Sequence, residues 1–212
     1  MIWNMKEQVI DMKYASIRSM DISNGESVGI ALFVQGCHFK CKNCFNPETW
    51  DFNGGKEWTI ETKEKFLELV DRPYIKRVSI LGGESLAEEN LEDVLDLVNE
   101  IRLSSPQKAI WLYTGYTIFT CKYFEHTIFT FHPSYYHLNP LNGKPIKVDD
   151  KAYFIKQDRK QIEIVKNIDV LIDGQDIDSQ RDTSLLWRGS SNQRVIDVQQ
   201  SMKKEKVVLW AD

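Results

Sequence analysis

Apolar residues along the chain alternate between short unbroken runs and helical spacing. Residues 29–34, GIALFV, form an unbroken apolar run, the pattern of a strand buried on both faces. A polar, cysteine-bearing stretch follows, and then a predicted helix from Thr62 to Asp71, stopped by Pro73. Val78–Leu81 reads as a short strand running into Gly82 and Gly83. Ser85 and Glu88 stand as S-x-x-E, which predicts a capped start to the next helix. Its Leu91, Val94, Leu95, Val98 and Ile101 recur at helical spacing, so one face packs on a core. AIWLY (109–113), TIFTF (127–131) and IDVLID (168–173) read as third, fourth and fifth strands. Strands separated by helices predict an α/β fold with a parallel sheet and right-handed crossovers.

Residues 132–165 break this rhythm. They carry the turn signals NPLNGKP, then the alternating runs AYFIK and QIEIV around QDRK. That pattern predicts a β-hairpin insertion in the α/β body, not a second domain. The basic KKEK (203–206) reads as a solvated end.

Composition narrows the setting. The chain has 212 residues, 42% hydrophobic and 27% charged, with a formal net charge of -4. That size suits one domain with a substantial core. The charge gives no electrostatic reason to expect nucleic acid or an anionic membrane. No apolar run approaches the roughly 18–20 residues that span a bilayer, and the first residues lack the apolar block of a signal peptide. A cytoplasmic, reducing setting is expected. Four cysteines with three crowded together then point to metal or redox chemistry, not to disulfides.

Those three are Cys37, Cys41 and Cys44, spaced C-x3-C-x2-C directly after the 29–34 strand. Zinc structural sites usually take four protein ligands, often as two separated pairs, and no second pair exists here. A [4Fe–4S] cluster normally takes four thiolates. Three leave one iron open, and an open site is what chemistry requires. A structural zinc knuckle completed by His38, or three core cysteines, are the alternatives on the residues alone.

C-x3-C-x2-C after a strand, with GGES at the end of the next strand, resembles the radical S-adenosylmethionine (SAM) superfamily. The order of LFVQGCHFKCKNCFNPETW, LGGESLAEENLEDVLDLV, IWLYTGYT, VLIDG and SLLWRGSSNQRVI narrows the resemblance. It is similar to the anaerobic ribonucleoside-triphosphate reductase-activating proteins, from about Lys13 to Val198, with residues 1–11 and 199–212 outside it. The resemblance implies a partial, open (β/α) barrel of about five or six mostly parallel strands, with its site at their C-terminal ends. It implies that Cys37, Cys41 and Cys44 ligate a [4Fe–4S] cluster whose open iron is chelated by SAM. Asn43, Cys44 and Phe45 are the implied adenine contacts, and Gly82, Gly83 and Glu84 line the methionine part. The superfamily's aromatic residue before the last cysteine is Asn43 here, with Phe45 just after it. Ser85 replaces the usual proline after the glycine motif.

The implied chemistry is one-electron cleavage of SAM, followed by hydrogen-atom removal from a backbone glycine of the reductase large subunit. The electron would come from a donor such as flavodoxin or ferredoxin. The cofactors carry that chemistry, so no catalytic side chain beyond the cluster ligands is expected. Arg188, Asn192, Gln193 and Arg194 of WRGSSNQR are candidates for docking the reductase or binding SAM, with a structural clamp as the other reading. Cys121 reads as a structural thiol, and His126, His132 and His137 as solvated loop residues. The competing functions are another small radical SAM enzyme, such as the activase of a different glycyl-radical enzyme or a small-molecule synthase, and a non-enzymatic zinc or iron–sulfur module.

Overall fold

The apolar runs assemble into a mixed, seven-stranded sheet in the computed structural model, which describes residues 12–123, 126–133 and 159–210. Its strands are β1 (Lys13–Asp21), β2 (Gly29–Val34), β3 (Lys56–Glu57), β4 (Arg77–Gly82), β5 (Ala109–Tyr113), β8 (Val170–Asp173) and β9 (Arg194–Asp197). The spatial order is β3-β1-β2-β4-β5-β8-β9. Between β5 and β8 in the chain, β6 (Tyr116–Tyr123) and β7 (His126–Pro133) make a separate antiparallel pair. Only β2, β4, β5 and β8 run parallel to one another; β1, β3 and β9 are antiparallel additions at the two edges. The sheet does not close on itself.

Alternation along the central strands sorts their side chains onto two faces. Ile30, Leu32, Val34, Val78, Ile80, Ile110, Leu112 and Leu171 join one buried cluster with the helices α1 (Ile60–Val70), α2 (Leu91–Ser104), α3 (Arg159–Lys166) and α4 (Val198–Lys204). Phe66, Val70, Leu97, Ile101 and Ile164 are the helix residues that meet them. The intervening residues face the other way. Ala31, Phe33 and Leu81 form one small cluster there, and Trp111, Val170, Ile172 and Val195 another.

Arg77 also lies on that second face and is fully buried. Its Nη2 donates to Asp21 Oδ1 at 3.0 Å, Nη1 to the Asn24 carbonyl at 2.7 Å, and Nε to the Glu26 carbonyl at 3.1 Å. One side chain thus pins the whole β1–β2 turn under the sheet. Burial would push the Asp21 carboxyl up, yet hydrogen bonds from Asn24 and Arg77 hold it below its ordinary value.

Several sequence expectations need correction. α1 runs from Ile60 to Val70 behind an N-cap at Thr59, whose Oγ1 accepts from the Thr62 N–H at 3.1 Å. α2 begins at Leu91, not at Ser85. The Ser85 Oγ is buried without a partner, because Glu84 takes the Leu86 N–H and Asn90 fastens the turn to the Gln35 and Glu84 carbonyls. TIFTF belongs to β7, which pairs antiparallel with β6 instead of joining the main sheet. Two residues, 124–125, separate these strands, too few for a parallel crossover. QIEIV is helical: Ile164 and Val165 are buried in α3, and Ile162 packs on the same core. The hairpin-insertion reading therefore fails over 159–165, while 134–158, with His137, lie outside the described residues. The main sheet has seven strands with four parallel, where five or six mostly parallel ones were expected. KKEK is exposed, as expected of a solvated end. Among the described residues, no helix is long and apolar enough to cross a membrane.

Candidate functional site

A cleft of about 580 Å³ opens on the second face of the sheet, at the C-terminal ends of the parallel strands. Cys37, Cys41, Cys44, Phe45, Gly82, Gly83, Glu84 and Arg188 all line it. Residues adjacent in sequence to the cysteines (His38, Lys40, Lys42, Asn43 and Phe45) are exposed, while all three cysteines are half-buried. The loop therefore turns its thiols inward and its polar side chains out. Two backbone positions make that reversal: Lys40 and Asn43 take left-handed conformations, with φ of 47° and 57°. A tight turn brings the Cys44 N–H to the Cys41 carbonyl at 3.1 Å.

Three aromatic rings seat the loop, each against a glycine with no room for a side chain. A Cβ on Gly36 would sit 2.0 Å from the Phe52 ring, one on Gly115 would sit 2.5 Å from Phe39, and one on Gly189 would sit 2.9 Å from Phe45. Phe39 also meets Tyr116 edge-on, with centroids 5.0 Å apart. The loop is thus held by β2's end, by the turn after β5 and by the segment after β8.

The β4 turn is fastened to the same frame through its main chain. The Gly83 N–H donates to the Val34 carbonyl at 2.9 Å, and the Glu84 N–H to the Gly36 carbonyl at 2.7 Å. Glu84 is buried, and its carboxylate is already committed. It accepts from Thr114 Oγ1 at 2.7 Å, the Gly115 N–H at 2.8 Å and the Leu86 N–H at 2.9 Å. Burial pushes its pKa up to about 7 against the pull of those donors. Glu84 ties the β4 turn to the β5 turn, and Gly82 and Gly83 present main chain to the cleft.

The donor set fits a soft metal centre. Thiolates select iron–sulfur clusters or zinc, and Cys37, Cys41 and Cys44 give three on one wall of the cleft. The sulfurs are not gathered at metal-ligating separation, and no other such His, Cys, Asp or Glu group occurs among the described residues. Burial, and next the Glu84 charge, push the Cys37 thiol up to about 12, and burial raises Cys41 as well. Both would have to lose their protons to a cation, whose charge reverses that preference.

The WRGSSNQR segment behaves unevenly. Asn192 Nδ2 donates to the Gln175 carbonyl, and Gln193 Nε2 to the Gly174 carbonyl, each at 2.8 Å. Arg194 forms an ion pair with buried Asp173 and donates to the Ile118 carbonyl at 2.8 Å. These three side chains close the loop that leaves β8 onto its own start. Arg188 differs. It lines the cleft, and its buried Nε has no partner. Residues missed from sequence are Phe39, Asp176 and Arg181. The glycine of TGYT and the glycine of WRGSS were the available signals, since each marks the seat of a ring.

Comparison with known proteins assigns this site to a class. The chain matches the 4Fe-4S single cluster domain over residues 23–132 and 148–196. It is 33% identical to the anaerobic ribonucleoside-triphosphate reductase-activating protein of Escherichia coli over 186 residues, covering 87% of this chain and 97% of that protein. The protein of that name from Vibrio cholerae is 33% identical (86% and 96% covered). That from Enterobacteria phage T4 is 30% identical (87% and 93% covered). The chain belongs to the family of anaerobic ribonucleoside-triphosphate reductase-activating proteins.

Proposed function

We propose that this chain is a radical SAM activase that generates a glycyl radical on an anaerobic ribonucleoside-triphosphate reductase. One observation carries the reading. Three thiols and a glycine turn with its main chain exposed share one cleft, at the strand ends, in a chain of this family. When bound, a reduced [4Fe–4S] cluster supplies the electron for cleaving SAM, and so for hydrogen-atom removal from a glycine of the reductase large subunit.

The chain's own residues bind and orient. Cys37, Cys41 and Cys44 would hold the cluster, and Gly82 and Gly83 would let main chain approach the methionine end of SAM. Cys44 and Phe45 line the cleft and would face the adenine, whereas Asn43 turns its exposed side chain to Asp178 and could contribute only main chain. Glu84 works as the brace beneath that turn. We read the open sheet as a partial barrel with residues 13–198 as the core of one domain. Its uncovered face leaves room for a loop of a large protein to enter. Reduction by flavodoxin or ferredoxin in the cytoplasm completes the scheme. Anaerobic protein with dithionite and SAM should release methionine and 5′-deoxyadenosine in equal amounts by chromatography; no release would refute the reading.

Arg188 is the best candidate for meeting the reductase, and Arg188→Ala should lower glycyl-radical yield severalfold. Truncating an interface arginine commonly costs about 2 kcal/mol. SAM cleavage without the reductase should change much less; an equal fall in both would place Arg188 at SAM. Arg194→Ala should act differently, because it leaves buried Asp173 without its cation. Breaking a buried pair costs about 3–5 kcal/mol, and partial exposure of Arg194 reduces that to about 2–3 kcal/mol. Chemical denaturation should show that loss; wild-type stability would contradict the clamp role.

A further inference from the structure

We propose that Arg181 is a positioning residue for the cysteine loop, so that the segment after β8 sets how Cys41 and Cys44 face the cleft. Its Nη2 donates to the Asn43 carbonyl at 2.6 Å, 138 residues away in sequence, and pairs with Asp176. Its guanidinium lies 4.2 Å from the centroid of the Phe45 ring. The residues on both sides of Cys44 are therefore held by one planar group. Arg181 can hold them because its fork donates in the plane while its face stacks on an aromatic ring.

Neighbouring contacts give the same docking a second line. Asn43 Nδ2 donates to Asp178 Oδ1 at 3.0 Å, and Lys42 Nζ lies 3.4 Å from Asp178 Oδ2. Asn43 is where this matters most. It holds a left-handed backbone, which asparagine adopts more readily than most residues but still at some cost that its surroundings must offset. The Asn43 carbonyl takes part in that offset through Arg181. Nothing nearer in sequence could do so, since the loop's own main-chain bonds run from Cys44 to Cys41 and from Asn46 to the Cys44 sulfur.

Arg181 touches none of the cysteines; it acts through Asn43 and Phe45, with Asp176 holding its guanidinium in place. The inference rests on the proposed function only for the loop's importance, and its test uses neither SAM nor the reductase. Full-length wild type, Arg181→Ala and Arg181→Lys, all without cluster and with thiols reduced, would be compared by hydrogen–deuterium exchange. Amides of residues 41–46 should exchange at least about tenfold faster in Arg181→Ala, the size expected for losing one charge-assisted hydrogen bond. Amides of α2 should be unchanged. Arg181→Lys, which keeps the charge but not the fork, should resemble Arg181→Ala. Iron bound per chain after reconstitution should fall in both variants. Unchanged exchange over 41–46 would overturn the proposal. So would equal acceleration in α2, because Arg181 would then only stabilise the fold, and so would wild-type exchange in Arg181→Lys.

Discussion

Replacing Cys37, Cys41 or Cys44 by Ala should each abolish the cluster and all reductive cleavage of SAM, whereas Cys121→Ala should leave both nearly intact. The three thiols share one cleft and are half-buried in a loop whose His38, Lys40, Lys42 and Asn43 side chains are exposed. A cluster held by only three protein thiolates would have none to spare, since four is the usual complement. Cys121 lies on β6, in the separate antiparallel pair and not in the main sheet. Iron and sulfide content, with the visible absorption of anaerobic protein, would measure the effect. A single variant of the three that kept wild-type iron and sulfide would remove that cysteine from the site. One zinc per wild-type chain, with no sulfide, would make the centre a zinc site instead.

The next largest effect should come from Gly83. A Cβ there would lie 2.4 Å from the Gly36 carbonyl oxygen and 3.0 Å from that of Val34. Both are main-chain atoms, one at the end of β2 and one two residues beyond it, and cannot swing aside. They also accept the hydrogen bonds that fasten the β4 turn to β2. Gly83→Val should weaken SAM binding by tenfold or more and cost about 1–3 kcal/mol of stability, the usual range for overpacking. Gly36 immediately precedes Cys37, so cluster yield should fall as well. From the sequence alone, Gly83→Val is expected to damage SAM binding with the cluster still assembling. Anaerobic calorimetry and thermal melting check both parts. Wild-type SAM affinity and melting in Gly83→Val would contradict this account of the turn.

The parts of the molecule legible in the sequence are those fixed by local pattern. β2 is an unbroken apolar run, and β4, β5 and β8 are mostly apolar, because both their faces are covered. The cysteine spacing and the double glycine marked the cleft for the same reason: each is a short-range signature. What escaped depends on distant partners. β1 has mostly exposed and half-buried residues, and becomes a strand only by pairing with β2. α3 was hidden by the alternation in QIEIV, which helical packing overrides. The start of α2 was moved by Glu84 and Asn90, whose bonds reach to Thr114 and Gln35. For Arg194 the sequence leaves docking and clamp readings open together, because the buried Asp173 that holds its guanidinium lies 21 residues away. No periodicity in a chain reports such pairs.

The most direct test of the whole account is electron paramagnetic resonance of an anaerobic ribonucleoside-triphosphate reductase incubated with this protein, SAM and a one-electron reductant. A glycyl radical keeps one α-hydrogen, so the account predicts a doublet on the reductase that collapses when its glycines are α-deuterated. No radical on the reductase, under conditions where the same protein cleaves SAM, would contradict it.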